Sequence, residues 1–123
     1  MKLFLILGAV NAALAVVLGA FGAHGLEGKL SERMLEVYKT GVQYHMYHAI
    51  GLLIVGLLAG KLANSGALHW SGWLMFIGII LFSGSLYALS TTGISKLGII
   101  TPFGGVAFIV GWVLFIIAAV KGL

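Results

Sequence analysis

The stretch Leu3–Ala23, LFLILGAVNAALAVVLGAFGA, contains a single polar side chain, Asn11. A helix rises about 1.5 Å per residue, so roughly 20 apolar residues cross a hydrocarbon layer about 30 Å thick. The run exceeds the roughly 7 to 15 apolar residues of a secretory signal and reads as a retained first membrane span. Three similar blocks follow, at residues 45–62, 70–91 and 102–120, and the charged residues are confined to the ends and joints of the four blocks. The expected fold is an all-α membrane protein, a compact four-helix transmembrane bundle forming one domain over residues 1–123.

Composition agrees. With 61% hydrophobic and 8% charged residues, the chain cannot coat a water-soluble globule. A net charge of +4 would suggest a nucleic-acid partner in a soluble protein. Here the Lys and Arg residues are scattered over every membrane-flanking segment without a basic stripe, so no nucleic acid is expected and membrane lipids are the expected contacts. The absence of cysteine excludes disulfides, thiolate-bound zinc, iron–sulfur clusters and haem attached through a C-x-x-C-H motif.

Between the first two blocks lies the main charged stretch, with Glu27, Lys29, Glu32, Arg33, Glu36 and Lys39. Ser31 is placed to cap a helix that has Glu32 in its first turn. Met34, Tyr38, Gly41 and His45 recur at helical spacing, which predicts a short amphipathic helix lying in the interface and leading into span two. Lys61, Asn64, Ser65 and Gly66 mark a turn, and Trp70 and Trp73 enter span three as interfacial anchors. Thr101 as N-cap and the only proline, Pro102, at the first helical position open span four. Four spans put both ends of the chain on one side, and Lys2 beside the first span points to a cytoplasmic location for them.

Glycine is abundant, with 19 residues, and most lie inside spans, where small residues let helices approach closely. Gly56 and Gly60 form a GxxxG pair. Phe4, Gly8, Asn11, Ala15 and Gly22 share one face of span one, and Gly104, Phe108, Gly111 and Phe115 share one face of span four. These faces are expected to be packing seams, although small-residue faces are also compatible with a homo-oligomer. Asn11 lies near the middle of its span and should hydrogen-bond to another helix.

Following the spans through the membrane brings His24, Tyr44, His45, Tyr47, His48, Ser90, Thr91 and Thr101 to one membrane surface, with Ser83 and Tyr87 slightly deeper. His45 and His48 stand at i and i+3 on a stripe with Gly41, Leu52, Val55 and Ala59. The candidate ligand-binding residues are therefore His24, Tyr44, His45, His48, Ser83, Tyr87 and Thr101. Imidazole titrates near neutrality and ligates metals, so this face suits proton exchange, a metal ion on His24, His45 and His48, or a polar headgroup. Tyr and His also occur at headgroup level simply as amphipathic side chains. No carboxylate lies within a span, which weakens carboxylate-based proton antiport, and no nucleophile or phosphate-loop motif is present.

The strings Gly19-Ala20-Phe21-Gly22-Ala23-His24-Gly25-Leu26, Tyr44-His45-Met46-Tyr47-His48-Ala49, Leu81-Phe82-Ser83-Gly84-Ser85-Leu86-Tyr87, Ile100-Thr101-Pro102-Phe103-Gly104-Gly105 and Gly111-Trp112 resemble the domain-of-unknown-function family 423 in order and over the whole chain. The resemblance implies a small four-span protein of the bacterial cytoplasmic membrane, with transmembrane-protein-256-like relatives in eukaryotes and no established activity. The functional expectation is a non-enzymatic membrane protein whose His/Tyr/Ser pocket binds a small ligand, a lipid headgroup or a partner. The alternatives are a small transporter or proton-coupled channel, and a metal- or haem-binding membrane protein; otherwise no cofactor is expected.

Overall fold

A computed structural model describes residues 2–62 and 65–122, without the side chain of Ala23. Asn64, one of the residues marking the second turn, lies outside the described residues. Helix α1 is Lys2–His24 and α2 is Glu32–Leu58. The third span is built from α3, Gly66–Gly78, a π-helical turn over Ile79–Ser83, and α4, Gly84–Thr92. A 3₁₀ turn at Ser95–Ile99 leads into α5, Thr101–Gly122. Four of these helical stretches are long and apolar enough to cross a membrane, and no strand occurs among the described residues.

The helices pack as two antiparallel hairpins whose registers are set by glycine. Between α1 and α2, Gly8 lies against Leu53, Gly56 against Leu5, Gly19 against Val42 and Gly22 against the ring of Tyr38. The partner numbers fall on one helix as they rise on the other, so contact is continuous along the pair. Between the third span and α5, Gly78 accommodates Phe108, Gly111 meets Met75, and Gly104 lies on the backbone of Phe82. Close approach matters in a bilayer because lipid removes the hydrophobic drive for helix association, leaving dispersion and hydrogen bonds to hold the bundle. Phe4, Leu52, Val55, Leu68, Met75, Ile79, Phe108 and Ala118 fill the centre. The face expected on α1 is the buried one: Phe4, Gly8, Asn11, Ala15 and Gly22 are all buried.

Several local expectations change. Ser31 does cap α2, accepting from the Met34 N–H at 3.1 Å, but the charged segment it opens is continuous with span two. One helix of 27 residues replaces an interfacial helix followed by a span. At about 1.5 Å per residue it is some 40 Å long, enough to cross the hydrocarbon layer and carry its charged first turns beyond it. Gly60 lies past the end of α2 in an exposed turn, so Gly56 packs without a glycine partner one turn later. Helix α5 begins at Thr101 itself. The carbonyl of Ile100 receives the Phe103 and Gly104 N–H groups, and the Thr101 hydroxyl turns to Ser85 Oγ at 2.5 Å instead of capping. Gly93 closes α4 with φ +74°, a left-handed conformation suited to glycine, and its N–H bonds to Leu89 O.

Candidate functional site

Because α2 starts at Glu32, its histidines lie deeper than the sequence suggested. His45 is at the centre of α2, and the α1–α2 register sets it level with Val16, about 12 Å inside the end of α1. The polar cluster therefore lies within the length of the bundle and not at the end of a helix. Each buried polar group in such a place needs an internal partner, since lipid offers none.

His45 and His48 meet that demand through different helices. His45 Nε2 lies 2.9 Å from Asn11 Oδ1, and its Nδ1 lies 2.8 Å from the Tyr87 hydroxyl. Asn11 in turn donates from Nδ2 to Leu7 O at 2.8 Å. The amide oxygen must then accept from His45, so Nε2 carries the proton and neutral His45 accepts from Tyr87 through Nδ1. The result is a directed chain from Tyr87 through His45 and Asn11 to the α1 backbone. Tyr38 adds a second α1–α2 link, its hydroxyl donating to Leu18 O at 2.6 Å. Asn11 thus bonds across to another helix, as expected.

His48 faces α5. Its Nδ1 is 2.7 Å from Tyr44 O, and its Nε2 receives the indole N–H of Trp112 at 3.0 Å. A carbonyl can only accept and an indole N–H can only donate, so these partners fit one neutral tautomer, with the proton on Nδ1. The imidazole also stacks on Phe108, with ring centroids 3.5 Å apart and planes 8° apart.

Outside this stack, a groove of about 550 Å³ runs between α2, the π-helical turn and α5. Tyr44, Tyr47, His48, Phe82, Gly105, Phe108, Ile109 and Trp112 line it. Its walls follow from the local folding: the widened turn at Ile79–Ser83 carries Phe82, and Gly104 lets α5 close onto the backbone there. Gly105 does something different. A Cβ at that position would have Phe82 Cδ2 at 3.9 Å as its nearest neighbour, so its missing side chain widens the groove without any packing requirement.

The seven candidate ligand-binding residues are thus distributed. Tyr44 and His48 line the groove. His45 and Tyr87 belong to the interhelical chain, and Thr101 bonds to Ser85. Ser83 is fully buried, and its hydroxyl has no hydrogen-bond partner among the described residues. His24 is exposed at the end of α1. The possibility that His24, His45 and His48 converge on a metal is corrected: among the described residues no three His, Cys, Asp or Glu side chains are grouped to hold an ion, and both nitrogens of His45 and His48 are engaged elsewhere. Tyr47, Phe82, Gly105, Phe108, Ile109 and Trp112 were not among those seven. The repeat of Gly105, Phe108 and Trp112 at helical spacing on α5 was the available signal.

A family model described as a protein of unknown function, DUF423, matches residues 18–105. The UPF0382 membrane protein YwdK of Bacillus subtilis is 65% identical over 121 residues, covering 98% of each chain. UPF0382 membrane proteins of Staphylococcus epidermidis and Staphylococcus aureus are 54% and 56% identical, again over 98% of each chain. No solved structure matches. The family model covers most of this length and the relatives nearly all of it, so the chain belongs to the DUF423 family of membrane proteins.

Proposed function

We propose that this is a non-enzymatic binding protein of the bacterial cytoplasmic membrane, with both termini cytoplasmic, that holds a small molecule drawn from the bilayer. The groove carries this reading. It opens on the outer flank of the bundle, where Tyr47 and Ile109 are exposed, its volume of about 550 Å³ falls in the range of roughly 300 to 1,000 Å³ usual for ligand sites, and six of its eight lining residues have aromatic rings. Tyr44 and His48 contact the ligand directly, while the chain through Tyr87, His45 and Asn11 fixes α2 against its neighbours. The engagement of both His48 nitrogens supports binding over catalysis, since no base stands free in the groove. Transport has less support, because Asn11, His45 and Tyr87 bond to one another and the buried cluster beside them is apolar.

The test is native mass spectrometry of the protein extracted in a mild detergent. Wild type is expected to retain a discrete small-molecule adduct that Gly105→Leu loses while keeping its helical circular dichroism. Equal retention by both would refute the groove as the site.

A further inference from the structure

We propose that the groove's ligand is a flat, uncharged ring bearing carbonyl groups on an apolar tail, the quinone-like class of membrane-soluble molecules. This rests on the groove being a binding site, and it follows from what the lining offers and withholds.

Charge is withheld. No Lys, Arg, Asp or Glu lines the groove, so neither a phosphate nor an ammonium headgroup finds a counter-charge there. The imidazole and indole nitrogens are withheld too. The His48 nitrogens are engaged, and the Trp112 N–H is spent on His48.

What remains are two phenol hydroxyls, each with a hydrogen to donate. Tyr47 Oη accepts from Gln43 Nε2 at 2.7 Å, leaving its own hydrogen free to donate. The Tyr44 hydroxyl has no hydrogen-bond partner among the described residues. The α1–α2 register places Tyr44 level with Val17, about 10 Å inside the end of α1. Uncharged acceptor oxygens, such as ring carbonyls, take the hydrogens of both phenols without needing a counter-charge.

The walls specify the shape. Tyr44 and His48 lie with planes 13° apart, and His48 and Phe108 with planes 8° apart. Phe82 leans on both Tyr44 and Phe108, at centroid distances of 4.8 and 5.5 Å. Aromatic walls favour a planar π system over an acyl chain, because stacked and edge contacts add to burial. The ring fits at the shallow end, beside Tyr44, Phe82 and Gly105. Its tail then runs past Ile109 towards Trp112, which lies about 16 Å into α5 from Thr101.

Trp112 makes the test optical. In a Trp70→Phe/Trp73→Phe background it is the sole tryptophan, and decyl-benzoquinone titrated into the detergent-solubilised protein is followed by quenching of its emission. The expected result is saturable quenching that Gly105→Leu abolishes, that Tyr44→Phe/Tyr47→Phe weakens about tenfold, and that decylbenzene does not compete away. Competition by decylbenzene or a diacyl phospholipid at equal mole fraction, or unchanged affinity in the double phenylalanine variant, would overturn the carbonyl-bearing class and leave the groove as a site. Quenching that never saturates, or that saturates equally in Gly105→Leu, would overturn the site as well.

Discussion

His45 and His48, one turn apart on α2, hydrogen-bond to different helices: His45 to Asn11 of α1 and Tyr87 of α4, His48 to Trp112 of α5. Their partners demand opposite tautomers, Nε2–H for His45 and Nδ1–H for His48. Nitrogen-15 spectra of the labelled protein in bilayers are expected to show a pyrrole-type Nε2 at His45 and a pyridine-type Nε2 at His48. Matching tautomers at the two sites would contradict the hydrogen-bond chain.

The Asn11–His45 bond should behave as an interhelical tie. Such bonds average about 0.6 kcal/mol in membrane double-mutant cycles and reach about 1.7. Asn11→Leu and His45→Phe are each expected to lower unfolding stability in detergent, with a coupling between them in that range. Strict additivity would show that the two side chains act independently.

Adjacent glycines on α5 should respond differently. A methyl at Gly104 overlaps the Phe82 backbone, whereas one at Gly105 meets only ordinary van der Waals contact. Gly104→Ala is expected to cost about 1–3 kcal/mol through overpacking, and Gly105→Ala close to nothing. Thermal unfolding of the two variants side by side decides this, and equal losses would argue against the α5 register.

Two buried serines offer a parallel contrast. Ser71 donates to Gly111 O at 2.7 Å, while the Ser83 hydroxyl is unpaired among the described residues. Ser71→Ala should destabilise by about 0.5–1.5 kcal/mol, whereas Ser83→Ala should be neutral or stabilising because it removes an unsatisfied group. Marked destabilisation by Ser83→Ala would reveal a partner for that hydroxyl.

Much of the architecture was legible in the sequence, because lipid imposes length and hydropathy on each span and spacing fixes the buried face. Phe4, Gly8, Asn11, Ala15 and Gly22 could be placed on one side of α1 from periodicity alone. Depth was not legible in α2. The charges from Glu32 to Lys39 read as a separate interfacial helix, since spacing cannot reveal whether a polar helical segment bends at the membrane or continues into it. Because of that ambiguity His45 and His48 read as the start of a span, whereas they lie mid-helix, buried and apart from His24. The groove was also hidden. Its walls come from three spans, and Phe82 and Trp112 meet α2 only through the tertiary register, which no local pattern along the chain encodes.

The absence of cysteine gives a direct test of the groove. Ile109 lines it and Val113, one turn on, is an exposed residue outside the lining. A benzophenone attached to Ile109→Cys, in protein kept in native membranes, is expected on irradiation to capture one discrete small-molecule mass, whereas the same probe at Val113→Cys captures a mixture following bulk lipid composition. Bulk-lipid adducts of the same composition at both positions would show that the groove selects nothing, and would contradict its assignment as a binding site.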